Sequence, residues 1–334
     1  FLFIARARFE LEIAVLNATL KSHSYLKSRL VRNALQLFFY LGLTEFGLAS
    51  VDTLVITQAL TFSGVSILMN RKKVQSGWAI WGGLAVSGAF LSNAFRFGFP
   101  VAISLSINWV IAVTDKVLLS ALLDLSAVGH YGAVSELVVQ VITLCFVVPY
   151  MAFYPRILSR WNDDREFDAV RNLFQFQATL MVLGALALTA TASVFPQKMA
   201  LWIWGPSYSA SSNIVFPLTL GLCLFGLKIF LIDIVYQVRM RTDCILWGAT
   251  AMAFSNLCLG VLLIPTFGVE GAAWSTVISF GVGLAFSAIM AVNLGFFETV
   301  YFGKSIYVLG SLILTGYFAF GIFGVEIRFV SMCV

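Results

Sequence analysis

Gly248 to Ile264 reads GATAMAFSNLCLGVLLI, a run without one charged side chain. Its apolar residues do not alternate with polar ones, and neither do those of Val141 to Tyr154 (VITLCFVVPYMAFY), so the alternating strands of a membrane β-barrel are excluded. A helix satisfies its own backbone groups in lipid, and about 20 mostly apolar residues in a helix cross a hydrocarbon layer of about 30 Å. Comparable runs fall near 30–48, 50–70, 97–121, 129–153, 172–194, 211–235, 243–265, 269–293 and 305–325. The reading is an all-α, polytopic transmembrane helix bundle of about nine spans. Composition agrees, with 60% of residues apolar and 11% charged, and a mean hydropathy of +0.93. A soluble enzyme is excluded.

The net charge of +5 does not indicate nucleic acid, because the basic residues sit in short inter-helix loops rather than on one polar face. Placing Lys21, Lys27, Arg29 and Arg32 in the cytoplasm and alternating outward puts every basic cluster on the same side. These are Arg71, Lys72 and Lys73; Arg96; Arg156, Arg160, Arg165 and Arg171; Arg239 and Arg241; and Lys304. The outer loops keep only Lys198 and Arg328, as the positive-inside rule expects. Trp78 to Ala94 is apolar and nearly long enough to span, but counting it would invert that asymmetry. It is therefore read as an interfacial or re-entrant segment anchored by Trp78 and Trp81. Pro196 to Tyr208, with Trp202 and Trp204, reads as a second interfacial element on the outer side. Phe1 to Phe9 (FLFIARARF) resembles the end of a preceding apolar helix, which suggests a fragment without its true N-terminus.

Two short glycine-bearing stretches are expected to form outer turns: Val128 to Gly132 and Phe267 to Ala273. Each is followed by small residues that let helix backbones approach. The five cysteines are scattered, without a C-x-x-C, and read as small apolar residues.

Ionisable groups inside spans are costly, roughly 2.5 to 3.5 kcal/mol each at the bilayer centre, so each is a candidate. In the third span Ser104, Asn108 and Asp115 share one helical face, with Lys116 about 100° further round. Lys116 would hold an anionic substrate group while Asp115 fixes it or relays a proton; the other reading is an ion pair locking a neighbouring helix. In the fourth span Glu136, Gln140 and Thr143 repeat that spacing, and Glu136 suits a solvated or capping position. In the sixth, Lys228 is expected to snorkel to the interface rather than face inward, with Asp233 and Gln237 below it. Glu45 and Asp52 flank an outer turn, and His23 and His130 stand isolated in loops, so neither a metal nor a cofactor is expected. No nucleophile-base set, phosphate-binding loop or zinc motif is present, and no catalytic residue is assigned.

Several stretches occur together in the order of one known group. They are Phe97-Gly98-Phe99-Pro100, Thr114-Asp115-Lys116-Val117-Leu118-Leu119, Val128-Gly129-His130-Tyr131, Tyr154-Pro155-Arg156, and Asn256 leading to Ile264-Pro265-Thr266-Phe267-Gly268-Val269-Glu270-Gly271-Ala272-Ala273-Trp274. From about Lys21 onward the chain resembles the polysaccharide biosynthesis (Wzx-type) lipid-linked oligosaccharide flippases of the multidrug/oligosaccharidyl-lipid/polysaccharide exporter superfamily. That resemblance implies a MATE-like two-lobe architecture with most of the first lobe missing. Residues 1–70 would end the N-terminal lobe, 71–96 would link the lobes, 97–293 would form a six-helix C-terminal lobe, and 294–334 would add one span and a tail. It also implies flipping of an undecaprenyl-diphosphate-linked oligosaccharide, an O-antigen or exopolysaccharide repeat unit, across a bacterial cytoplasmic membrane by alternating access. Arg96, Lys116 and Lys228 would then meet the diphosphate, Asn108 and Gln140 the sugars, and Asp115, Glu136 and Asp233 would be coupling or structural carboxylates. Membrane lipids and other glycan-assembly membrane proteins are the expected partners. The alternative is a Na⁺- or H⁺-coupled drug or metabolite antiporter of the same superfamily.

Overall fold

The computed structural model describes residues 22–45, 50–70, 88–161 and 167–295, with parts of 3–13. The described residues contain helices and turns and no strand. The chain divides into two compact units, Phe1–Leu91 and Ser92–Val334. The expected span at 305–325, Trp78 and Trp81, and the loop acids Asp163, Asp164 and Glu166 lie outside the described residues.

In the first unit, α1 (Ser22–Glu45) packs on α2 (Val51–Asn70). Ser50 caps α2, its hydroxyl accepting the Thr53 amide at 3.3 Å while the Thr53 hydroxyl accepts the Ser50 amide at 2.9 Å. Ala5, Phe9 and Ile13, four residues apart, bury one helical face against Phe62 and Val65. The Arg32 guanidinium lies 4.9 Å from the Phe62 ring centre.

The second unit holds α3 (Gly88–Leu122), α4 (Leu125–Arg160), α5 (Phe167–Val194), α6 (Ser212–Val238) and α7 (Thr242–Asn293). These five are long and apolar enough to cross a membrane. At 52 residues α7 is far longer than one bilayer crossing requires, and Gly268 breaks it into two arms at φ 59°, ψ −135°. In lipid there is little hydrophobic drive between helices, so packing rests on close fit at small residues. Gly226 faces the Phe146 ring of α4, and Gly221 meets the α7 backbone at Val277. On α4, Tyr131, Val134, Val138, Ile142 and Phe146 recur every three or four residues and are buried in one cluster with Met181 of α5 and Leu218 of α6. α6 contains one widened, π-helical turn at Lys228–Ile232. The Gln177 amide donates to the Phe230 carbonyl on that turn at 3.1 Å.

Two expectations change. Residues 88–94 are not a separate interfacial segment; they are the first turns of α3, which runs on through Pro100. At 35 residues that helix outruns the hydrocarbon, so its Arg96 end needs no loop to reach water. The turn expected at Val128 to Gly132 lies earlier, at Leu123–Asp124: the Asp124 carboxylate accepts the Ala127 amide at 2.6 Å and starts α4 at Leu125. A cap thus overrides glycines that the helix tolerates.

Between α5 and α6, Pro196–Met199, Ala200–Trp204 and Pro206–Ser211 are short helical turns. The Trp204 indole donates to the Ala133 carbonyl at 3.1 Å, while Trp202 stays 86% exposed.

Candidate functional site: a buried carboxylate on four helices

Asp115 sits two turns before the C-terminal end of α3 and is buried. Its Oδ2 accepts the Tyr131 hydroxyl of α4 at 2.8 Å and the Thr276 hydroxyl of the second α7 arm at 2.9 Å. Its Oδ1 accepts the Asn256 amide of the first α7 arm at 3.2 Å. Side chains of α4 and of both arms of α7 therefore converge on one carboxylate of α3. All three donors are neutral, and among the described residues no cation lies within ion-pair distance of Asp115. Asn256 Oδ1 is itself buried without a partner. Ser279, whose hydroxyl Asn256 reaches at 3.5 Å, completes a pocket rich in oxygen.

The local sequence explains the convergence. Tyr131 opens the buried face of α4, and Asn256 and Thr276 lie 20 positions apart on either side of the Gly268 break, which folds the two arms back on each other. Gly271 permits that fold, since a Cβ there would stand 2.6 Å from the Leu263 carbonyl carbon. No group of three or more His, Cys, Asp or Glu side chains capable of holding a metal occurs among the described residues. A single carboxylate ringed by neutral oxygens suits a proton or a monovalent cation better than a divalent one.

The remaining candidates separate. Lys116, one residue on, turns away and pairs with Glu136 of α4 at 2.5 Å, so the locking reading applies to it. Glu136, expected at a solvated or capping position, is exposed and pairs with Lys116. Lys228 does not snorkel: it is fully buried and pairs with Asp233 across the widened turn at 2.9 Å. Gly248 of α7 clears the space for it, because a Cβ there would press on Ser287 Oγ and stand 3.2 Å from Lys228 Cε. An ammonium with a carboxylate five residues on has no need of the interface. Asn108 is half-buried with its Oδ1 unpartnered, and Gln140 and Arg96 are exposed. His130 is helical, not in a loop, and packs edge-on against Tyr208 at 4.9 Å. Arg96, Asn108, Gln140 and the Lys228–Asp233 pair do not contact the Asp115 pocket. Asn256 and Tyr131 stood inside recognised stretches, and Thr276 just beyond one, without any local signal that they share a partner.

Fold and buried ionisable groups together define a multi-pass α-helical membrane protein. Its fold is that of solved transport proteins. It is similar to a mutant of the Vibrio cholerae MATE transporter VcmN, with TM-score 0.70 and 15% identity, over 85% of this chain and 66% of that one. It is also similar to the lipid II flippase MurJ in an inward closed conformation, with TM-score 0.53 and 14% identity, over 93% of this chain and 70% of that one. The chain thus spans about two thirds of the length of each. No family model and no curated protein matches the sequence.

Proposed function

We propose that the chain belongs to an alternating-access transporter in which Asp115 binds and releases a proton or a monovalent cation. The observation that carries this is a buried carboxylate held by three neutral donors with no cationic partner among the described residues. An uncompensated charge in the bilayer interior costs roughly 2.5 to 3.5 kcal/mol, which a bound counter-ion offsets. Loading and unloading that ion would bias how α3, α4 and the arms of α7 pack, which is the coupling that alternating access requires.

The cargo we assign is a lipid-linked oligosaccharide on undecaprenyl diphosphate, moved across a bacterial cytoplasmic membrane alongside other glycan-assembly membrane proteins. Five ordered sequence stretches and the likeness in fold to a lipid II flippase support it. A drug or metabolite antiporter is the second reading. It is favoured by the neutralisation of Lys116 and Lys228 by carboxylates, which leaves Arg96 as the exposed cation of the three assigned to the diphosphate.

The test is the full-length protein in liposomes under an imposed Na⁺ or H⁺ gradient, with undecaprenyl-diphosphate disaccharide and ethidium as alternative cargoes. Gradient-driven movement that Asp115→Asn abolishes supports the coupling role. Equal transport by that variant refutes it. Which of the two cargoes moves decides between the readings.

A further inference from the structure

α4 presents three distinct faces. Tyr131, Val134, Val138, Ile142 and Phe146 form the buried one. Val141, Leu144 and Val148 form an exposed apolar one, suited to lipid tails. Glu136, Gln140, Thr143, Val147, Tyr150 and Tyr154 follow at intervals of four, three, four, three and four residues, so they lie along a third face that runs for about half of the helix.

Polar groups of this third face are left without hydrogen-bond partners although its tyrosine rings pack against the core. Glu136 and Gln140 are exposed, as is Thr143, and Glu136 is already occupied by Lys116. Gln140 and Thr143 make no side-chain hydrogen bond among the described residues. Tyr150 and Tyr154 are half-buried and stack in parallel, with ring centres 4.8 Å apart and 17° between planes. Neither tyrosine hydroxyl has a hydrogen-bond partner among the described residues. The pair is braced from behind: Tyr150 stands edge-on to Phe230 at 5.4 Å, and Phe230 belongs to the widened turn that Gln177 holds. Tyrosine supplies rigid apolar area with a polar tip, and buried or half-buried polar tips normally find partners.

We propose that this face of α4 is a carbohydrate-binding rail, with Tyr150 and Tyr154 as a platform on which a sugar ring stacks. Sugars pair apolar C–H faces with aromatic rings and spread hydroxyls over neutral amides and alcohols, which is the set of groups found here. A diphosphate would require cations, and among the described residues Lys116, which reaches the face, is spent on Glu136. A lipophilic cation would require a free carboxylate, and Glu136 is likewise spent. From Gln140 to Tyr154 the rail is about 21 Å long, room for several sugar residues. The proposal rests on the oligosaccharide cargo assigned above and deepens it by placing the glycan on α4.

The experiment measures binding to the full-length protein in detergent of two probes, undecaprenyl diphosphate bare and carrying an N-acetylglucosamine disaccharide. Wild-type protein should bind the glycosylated lipid more tightly. The double variant Tyr150→Ala, Tyr154→Ala should lose about tenfold in affinity for it and keep its affinity for the bare lipid. Tyr150→Phe with Tyr154→Phe retains both rings, and so should retain most of the difference and control for folding. Equal discrimination by wild type and the double alanine variant overturns the platform while leaving the cargo reading intact. Wild-type protein that binds neither lipid while still driving ethidium efflux overturns the cargo reading and the platform with it.

Discussion

Asp115 and Thr276 stand 161 positions apart in the chain and 2.9 Å apart in space, joined by a hydroxyl for which the Ala272 carbonyl, at 3.0 Å, is the alternative acceptor. That link ties the C-terminal part of α3 to the second arm of α7. The polarity at the heart of the second unit is therefore arranged by residues that have no local relationship.

Removing one donor from the Asp115 site should change ion affinity without unfolding the protein. The donors stabilise the empty carboxylate, each by about 1.5 to 3 kcal/mol, so Thr276→Val or Asn256→Ala should lower the proton concentration for half-maximal transport about tenfold or more. The measurement is gradient-driven uptake as a function of proton concentration. An unchanged midpoint in both variants would remove Asn256 and Thr276 from the site.

The Lys228–Asp233 pair should behave as a unit. Lys228→Met leaves Asp233 buried without its counter-ion and should destabilise the protein by about 3 to 5 kcal/mol. Adding Asp233→Leu should recover most of that loss. Unfolding in detergent monitored by the reactivity of the buried Cys223 or Cys244 gives the comparison, and a single variant as stable as wild type would contradict the buried pairing.

The exposed Lys116–Glu136 bridge carries much less. With side chains 34% and 65% exposed, its double-mutant cycle should yield about 1 kcal/mol or less. A coupling several times larger would show that the pair is sealed from solvent and lipid by a neighbour.

Glycine positions offer a matched test. Gly271→Ala drives a Cβ against the Leu263 carbonyl and should cost about 1 to 3 kcal/mol, whereas Gly132→Ala meets open space and should be neutral or slightly stabilising. Equal melting temperatures would mean that the two arms of α7 do not fold back closely at Gly268.

Orientation follows from charge and is open to labelling. Ser207→Cys should react with an impermeant thiol reagent added to whole cells in a background without native cysteines, and Ser159→Cys should react after permeabilisation. The reverse pattern would invert the topology.

The spans from 97 to 293 were legible because crossing a bilayer is a local property. About 20 apolar residues satisfy it wherever they lie, and every one of those expected spans falls inside a helix of the second unit. Helix ends were less legible where a single cap decided them, as Asp124 does for α4. Lys228 was misread for a related reason. Hydropathy reports how deep a side chain sits but not which way it points, and the outcome turned on Gly248, a residue 20 positions away that leaves room for the ammonium. By itself the amino-acid order determined an all-helical membrane protein, its ionisable interior positions and a turn within Phe267 to Ala273. Only the tertiary structure decided that Asp115 gathers Tyr131, Asn256 and Thr276 while Lys116 turns to Glu136. A helix fixes the angle between its own side chains, but which neighbouring helix each angle meets depends on how the whole bundle packs.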